Sequence, residues 1–148
     1  MMSRRKTNLM ADIFVDTGGW GHLFSPKEPY HELAADIYQF VRQQKHKLVT
    51  TNYVIAELVA LLTSPLRISR PISIKLVDDL RGSPHVEVIH IDALKDEQAW
   101  QLLKRREDKE WSLVDCSSFV VMQELRIMEA LTSDRHFEQD GFVRLLKS

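Results

Sequence analysis

Four acidic residues stand beside apolar segments, at points where the chain is expected to pass from a buried element into a loop or helix. Asp16 and Asp134 each follow a short apolar run that reads as a buried strand. Glu57 lies within an apolar helical segment, and Asp115 falls in the first turn of another. Carboxylates gathered in one place repel each other unless a cation lies between them, and hard divalent cations prefer such oxygen ligands. The pattern therefore predicts a Mg²⁺ or Mn²⁺ site, provided that the fold brings the four acids together.

Each of these acids also has a purely structural explanation. Helix or turn capping accounts for Asp16 and Asp134, and a plain helix-start carboxylate accounts for Asp115. Glu57 is the sharper signal, because a carboxylate buried among apolar neighbours must be paired or bound to metal. A Glu57 on the solvent edge of its helix, or in an internal ion pair, is the competing explanation.

Short apolar runs alternate with longer amphipathic segments along the chain. These runs and segments predict the strands and helices that must position the four acids. We expect strands at 12–16, 47–50, 86–91, 130–132 and 142–146. We expect helices at 29–46, 52–63, 71–82, 92–104 and 113–128. Strands alternating with helices predict a three-layer α/β fold with a central parallel sheet flanked by helices.

Two local features of this reading concern glycines and one apolar stripe. Gly18, Gly19 and Gly21 follow Asp16 closely, and we expect the segment 17–21 to be an unusually loose loop. The helix that Pro71 opens is expected to bury a stripe of apolar residues, namely Ile74, Val77 and Leu80.

Length and composition indicate an ordinary globular protein. The 148 residues suit one domain over 1–148, in which 1–10 is expected to be a short lead-in rather than an export signal. The single cysteine, Cys116, excludes an internal disulfide framework and a cysteine-rich zinc site, and it favours a reducing, cytoplasmic setting. No apolar run approaches the ~20 residues that span a bilayer, so no membrane partner is expected.

The charge balance bears on nucleic-acid partners. Lys plus Arg total 20 and Asp plus Glu total 21, so the formal net charge is −1. Proteins held to nucleic acid mainly by phosphate neutralisation are usually more basic. A nucleic-acid partner would therefore require bound metal ions or a local patch, for which Arg135, His136 and His22 are candidates.

Four stretches of the chain resemble PIN-domain proteins, most closely the VapC type of toxin ribonuclease. They occur in the family's order and are FVDT at 14–17, TTNYVIAE at 50–57, SLVDCSSF at 112–119 and LTSDRHF at 131–137. The resemblance implies a three-layer fold around a parallel sheet and Mg²⁺- or Mn²⁺-dependent cleavage of single-stranded RNA. It also implies a homodimer and, for the toxin type, an antitoxin protein as partner.

The resemblance also assigns residues by position. It implies that Asp16, Glu57, Asp115 and Asp134 form the acidic metal site, for one or two ions, and that the Thr17 hydroxyl binds metal-bound water or substrate. Three alternatives stay open: a non-catalytic binding module with this fold, a PIN ribonuclease outside toxin–antitoxin systems, and a receiver-like phosphoacceptor domain. The receiver reading lacks the acidic pair and the late strand-end lysine that such domains need.

Overall fold

Five parallel strands form one sheet in the computed structural model, which describes residues 11–148. The strands are β1 (Ile13–Val15), β2 (Leu48–Thr51), β3 (Val86–Ile89), β4 (Glu129–Leu131) and β5 (Val143–Arg144). The helices of this part of the chain are α1 (Thr17–Phe24), α2 (His31–Gln43), α3 (Asn52–Thr63), α4 (Arg70–Gly82), α5 (Ala93–Arg105), α6 (Leu113–Leu125) and α7 (Arg135–Gln139). The predicted α/β fold with a central parallel sheet flanked by helices is confirmed.

The order of the strands determines where a site can form. The sheet runs β3-β2-β1-β4-β5, so the chain moves outward from β1 in one direction through β2 and β3 and then returns to the other side of β1 at β4. Connections leaving β1 and β4 diverge, and ligands of open α/β sheets bind in the crevice outside the carboxyl ends of such strands. Val15 pairs with Leu131 across these two strands, so Asp16 and Thr132 follow them side by side.

The centre of the sheet is apolar throughout. Ile13, Phe14 and Val15 are fully buried, as a strand covered by helices on both faces requires. Phe137 from α7 and Phe119 from α6 pack edge to face with ring centroids 5.0 Å apart, and Phe14 lies 6.3 Å from Phe137. This aromatic contact joins β1 to the two helices that carry acids at their first turns.

The prediction of a loose loop after Asp16 is wrong, because the segment forms α1. Asp16 caps this helix, and Gly19 lies so close to β4 that an added Cβ would come within 2.0 Å of the Leu131 carbonyl oxygen. Trp20 is buried and its indole N–H donates to Thr50 Oγ1 at 3.1 Å. Gly19 therefore permits close packing of α1 on the end of β4 rather than flexibility.

Two further expectations need correction. Val77 and Leu80 are buried as predicted, but Ile74 is 54% exposed, because the inward face of α4 includes Ser73 instead. Helix α6 ends at Leu125 rather than at 128, since Arg126 adopts a left-handed conformation (φ 58°) that terminates the helix before β4. The expected lead-in at 1–10 lies outside the described residues. No helix among residues 11–148 is both long and apolar enough to cross a bilayer.

Candidate metal centre and active-site cleft

The four acids predicted from the sequence line one cleft at the carboxyl end of the sheet. The cleft has a volume of about 370 Å³, and its lining includes Asp16, Glu57, Asp115 and Asp134. The acids come from four different elements, since Asp16 follows β1, Glu57 lies on α3, Asp115 is on α6 and Asp134 precedes α7. The fold therefore brings together four acids whose spacing in the sequence alone did not show that they meet.

Asp16 is held by two hydrogen bonds at the floor of the cleft. Its Oδ1 accepts from the backbone N–H of Gly19 at 2.7 Å, which caps α1, and its Oδ2 accepts from the Thr132 hydroxyl at 2.5 Å. Thr132 also accepts from the backbone N–H of Asp134 at 3.0 Å. The capping role and the site role of Asp16 therefore coexist, because the cap fixes the carboxylate in the cleft.

The environment of Asp16 opposes its charge when no cation is present. Its pKa is raised from 3.8 to about 7, mainly by burial and also by the neighbouring Asp134 and Asp115, against the lowering effect of the hydrogen bonds from Thr132 and Gly19. Part of the residue still faces the cleft. The described lining contains no lysine or arginine, and its donors are carboxylate and hydroxyl oxygens. This donor set fits a hard divalent cation, which would supply the positive charge that the protein does not.

Asp115 is oriented by a capping box at the start of α6. The Ser112 hydroxyl accepts from the backbone N–H of Asp115 at 2.9 Å, and Asp115 Oδ2 accepts from the backbone N–H of Ser112 at 3.0 Å. The same oxygen lies 2.9 Å from Nδ1 of His136. The local pattern Ser-x-x-Asp predicts such a box, so the orientation of Asp115 is encoded within four residues.

Asp134 lines the cleft at the start of α7, and His136 lies beside it on the first turn of the same helix. Asp134 caps α7 by accepting from the backbone N–H of His136 at 2.9 Å, and its Oδ1 lies 3.5 Å from Nδ1 of the same histidine. Single ligand atoms of Asp115, Asp134 and His136 lie within 4.8 Å of one another. The predicted site included the two acids but not His136, which the sequence reading treated only as a possible RNA contact.

The surroundings of Glu57 differ from those expected from the sequence. The residue is exposed on α3 rather than buried among apolar neighbours, so the cost of burying its charge does not arise. Its Oε1 accepts from the Thr17 hydroxyl at 2.6 Å, and both residues line the cleft. Thr17 therefore lies beside Asp16 and contacts a second acid of the cleft, and the expected binding of metal-bound water or substrate by its hydroxyl stays a prediction.

Other residues near the cleft have distinct surroundings. Arg135 is exposed on the first turn of α7, which leaves its guanidinium in solvent beside Asp134. His22 is buried instead of facing substrate, with its Nδ1 accepting from the backbone N–H of Tyr30 at 3.3 Å. Cys116 is also buried, and burial raises its thiol pKa to about 11, which makes it a packing residue rather than a nucleophile.

The sequence contained weak signals for the supporting residues that were missed. Thr132 lies two positions before Asp134, at the end of a predicted strand. Its hydroxyl could therefore reach a residue at the end of a neighbouring strand. His136 follows Asp134 by two residues, so both residues belong to the start of the same short helix, which Asp134 caps. Neither pattern is specific without knowledge of the strand order.

Comparison with known proteins agrees with this geometry. The chain matches the family described as PIN domain over residues 13–142. It is 32% identical over 133 residues to the 23S rRNA-specific endonuclease VapC20 of Mycobacterium tuberculosis, in both the CDC 1551/Oshkosh and H37Rv strains, covering 90% of this chain and 97% of the relative.

A solved structure is similar to the same extent. The crystal structure of Mycobacterium tuberculosis VapC20, described as a Sarcin-Ricin loop cleaving toxin, superposes with a TM-score of 0.78 at 32% sequence identity. The match covers 88% of this chain and 96% of that chain. With a family match over most of its length and a VapC-type relative of this similarity, the chain belongs to the PIN domain family.

Proposed function

We propose that this protein is a divalent-metal-dependent endoribonuclease that hydrolyses phosphodiester bonds of single-stranded or looped RNA. The observation that carries the proposal is the convergence of Asp16, Glu57, Asp115 and Asp134 on one cleft whose described lining has no basic side chain. An RNA phosphate could enter such a cleft only with cations to offset the acids. The net charge of −1 is consistent with cations, rather than a general basic surface, supplying the attraction.

The chain's own residues have separate tasks in this reaction. Asp16 and Asp115 hold the cation, with Asp134 and Glu57 completing its surroundings directly or through water. When bound, Mg²⁺ or Mn²⁺ supplies positive charge to the phosphate and makes water a better nucleophile at neutral pH. The proposed products carry 5′-phosphate and 3′-hydroxyl ends.

Hydroxyl groups and one arginine position the other participants. The Thr17 hydroxyl, now bonded to Glu57 at 2.6 Å, is placed to exchange this bond for one to water or to a phosphate oxygen. Arg135 extends into solvent beside Asp134 and is proposed to contact the RNA backbone outside the cleft. Thr132 and Ser112 keep the two principal carboxylates in fixed orientations.

The experiment is an RNA cleavage assay on protein first stripped of metal with EDTA. We expect cleavage on adding Mg²⁺ or Mn²⁺, none in EDTA, and a loss of at least about 100-fold for Asp115→Asn. Asp92→Asn is a matched control, because Asp92 also caps a helix through its side chain but lies outside the cleft. Cleavage that persists in EDTA or in Asp115→Asn would refute the mechanism, and metal binding without cleavage of any RNA would favour the non-catalytic binding module.

The likeness to VapC20 suggests a substrate and a biological setting. Since that relative is described as 23S rRNA-specific and Sarcin-Ricin loop cleaving, we propose a structured loop of ribosomal RNA as the first substrate to test. We propose that the chain acts in the cytoplasm as the toxin of a toxin–antitoxin pair. Growth arrest on expression, relieved by co-expressing a short neighbouring reading frame, would distinguish this role from a PIN ribonuclease without an antitoxin.

We also propose that the protein is a homodimer. Ile72 and Ile74 on α4 are 57% and 54% exposed, and Ile74 lies beside Val59 of α3 at a shallow hollow on this face. Pairing of this surface with a second copy would cover apolar side chains that water now contacts. Light scattering should give twice the 17.2 kDa chain mass, and Ile74→Asp should reduce it to the monomer value.

A further inference from the structure

His136 lies beside two acids of the cleft, Asp115 and Asp134, although a magnesium site made only of oxygen ligands does not need a histidine. His136 Nδ1 lies 2.9 Å from Asp115 Oδ2 and 3.5 Å from Asp134 Oδ1. The side chains of Asp115, Asp134 and His136 are 18%, 41% and 29% exposed, so none of the three is closed off from solvent. The three residues come from the first turns of two helices that pack together, α6 and α7.

The two separations from His136 Nδ1 are close to those between neighbouring ligands of one metal ion. Two donors that are each about 2.1 Å from a cation lie about 3.0 Å apart when they subtend a right angle, and about 3.4 Å apart in a tetrahedron. The observed 2.9 and 3.5 Å require little rearrangement to meet either arrangement. The helix caps already fix both carboxylates, through Ser112 at Asp115 and through the His136 backbone N–H at Asp134.

We propose that Asp115, Asp134 and His136 form a mixed nitrogen and oxygen subsite that selects a divalent first-row transition ion, such as Mn²⁺, over Mg²⁺. Imidazole nitrogen is a good ligand for transition ions, whereas Mg²⁺ is held almost entirely by oxygen. His136 therefore determines which cation serves the cleft. This inference rests on the proposed function, because it specifies the cation of the same site.

The competing explanation is that His136 only orients Asp115 by donating a hydrogen bond. His136→Asn separates the two roles, because the asparagine side-chain N–H₂ lies close to the position of Nδ1 and keeps a donor, while an amide is a poor ligand for transition ions. His46→Asn is the matched control, since His46 also lies beside a carboxylate, Asp12 at 3.6 Å, but immediately before β2 at the opposite end of the sheet.

The test is pulsed electron paramagnetic resonance of Mn²⁺ added to the metal-free protein, which detects a coordinated imidazole through its ¹⁴N nucleus. We expect ¹⁴N coupling in the wild type and in His46→Asn, and none in His136→Asn. Uniform ¹⁵N labelling of histidine should replace the ¹⁴N signal in the unsubstituted protein. Calorimetry should show the ratio of the Mg²⁺ to the Mn²⁺ dissociation constant falling by roughly tenfold in His136→Asn.

The outcomes separate this inference from the proposed function. Bound Mn²⁺ without ¹⁴N coupling, or coupling retained in His136→Asn, overturns the role of His136, and the nuclease proposal then stands or falls by its own cleavage assay. An unchanged Mg²⁺ to Mn²⁺ ratio in His136→Asn also overturns it. If no divalent cation binds to the wild-type protein, both the subsite and the metal-dependent nuclease proposal fail.

Discussion

The Thr132 hydroxyl donates a hydrogen bond of 2.5 Å to Oδ2 of Asp16, which lies 116 positions earlier in the chain. The contact exists because β1 and β4 are neighbours in the sheet, with Val15 opposite Leu131. It joins the two strand ends where the connections diverge, and it holds the most deeply placed carboxylate of the cleft. The candidate site is therefore built on the rigid centre of the sheet rather than on loops.

The packing of α1 against β4 predicts different tolerances for two adjacent glycines. An alanine at Gly19 would place its Cβ 2.0 Å from the Leu131 carbonyl oxygen, whereas at Gly18 the nearest atom is Asp16 Oδ1 at 3.8 Å. We expect Gly19→Ala to destabilise the protein by about 2–3 kcal/mol, and Gly18→Ala to be neutral or stabilising by up to about 1 kcal/mol. Chemical denaturation of both variants measures this, and equal stabilities would show that α1 does not pack as described.

The Thr17–Glu57 hydrogen bond predicts a loss of activity without a loss of stability. Thr17→Val removes the donor to Glu57 from a solvent-exposed pair, so the free energy of unfolding should change by less than about 0.5 kcal/mol. We expect kcat/KM for RNA cleavage to fall by roughly tenfold, the value of one hydrogen bond to a charged group. Thr17→Ser keeps the hydroxyl and should retain most activity. Full activity in Thr17→Val would remove this hydroxyl from the mechanism.

The raised pKa of Asp16 predicts how the stability of the metal-free protein depends on pH. The carboxyl ionises near 3.8 in the unfolded chain and near 7 in the folded protein, so the folded state binds more protons between these values. Stability is therefore full below about pH 4, declines as pH rises, and is lowest above about pH 7. Asp16→Asn removes this dependence.

The comparison of the two proteins isolates the contribution of Asp16. We expect Asp16→Asn to match the wild type at about pH 4 and to exceed it by about 2 kcal/mol at pH 8, a value reduced to allow for the solvent in the cleft. Urea denaturation in EDTA at several pH values measures the difference. A variant that is less stable than the wild type at pH 8 would contradict the raised pKa.

The same group predicts proton release when a cation binds. A divalent ion requires the ionised form of Asp16, which carries a proton over much of the range below about pH 7. Calorimetric Mn²⁺ titrations in two buffers of different ionisation enthalpy should show more protons released at pH 6 than at pH 8, about one of them from Asp16. Asp16→Asn should release about one proton fewer than the wild type at pH 6, and release by this variant equal to that of the wild type would assign the proton to another group.

Several elements of the fold could be predicted from local patterns in the sequence. The apolar runs before Asp16 and Asp134 defined strands, and the segment around Asp115 has its capping box within four residues. The expectation that Glu57 is buried was wrong, since apolar neighbours along the chain do not imply a buried position on a helix surface.

Long-range packing explains what the sequence could not supply. The glycines after Asp16 indicated a loop, because glycine is favoured both in flexible loops and where two backbones pack closely. Only the position of Leu131 next to Gly19 shows that close packing is the reason here. His136 contacts Asp115 because α7 packs against the start of α6, although β4 lies between these helices in the sequence. Neither relationship can be read before the order of the strands is known.

The most direct test follows cleavage and cation occupancy in one titration. Metal-free protein is titrated with Mn²⁺ while bound ion and the initial rate of RNA cleavage are measured on the same samples. The account predicts that the rate rises from zero in proportion to occupancy, and that a protein carrying both Asp16→Asn and Asp115→Asn neither binds the ion at these concentrations nor cleaves RNA. Cleavage at the full rate before any ion is bound, or by the doubly substituted protein, would contradict it.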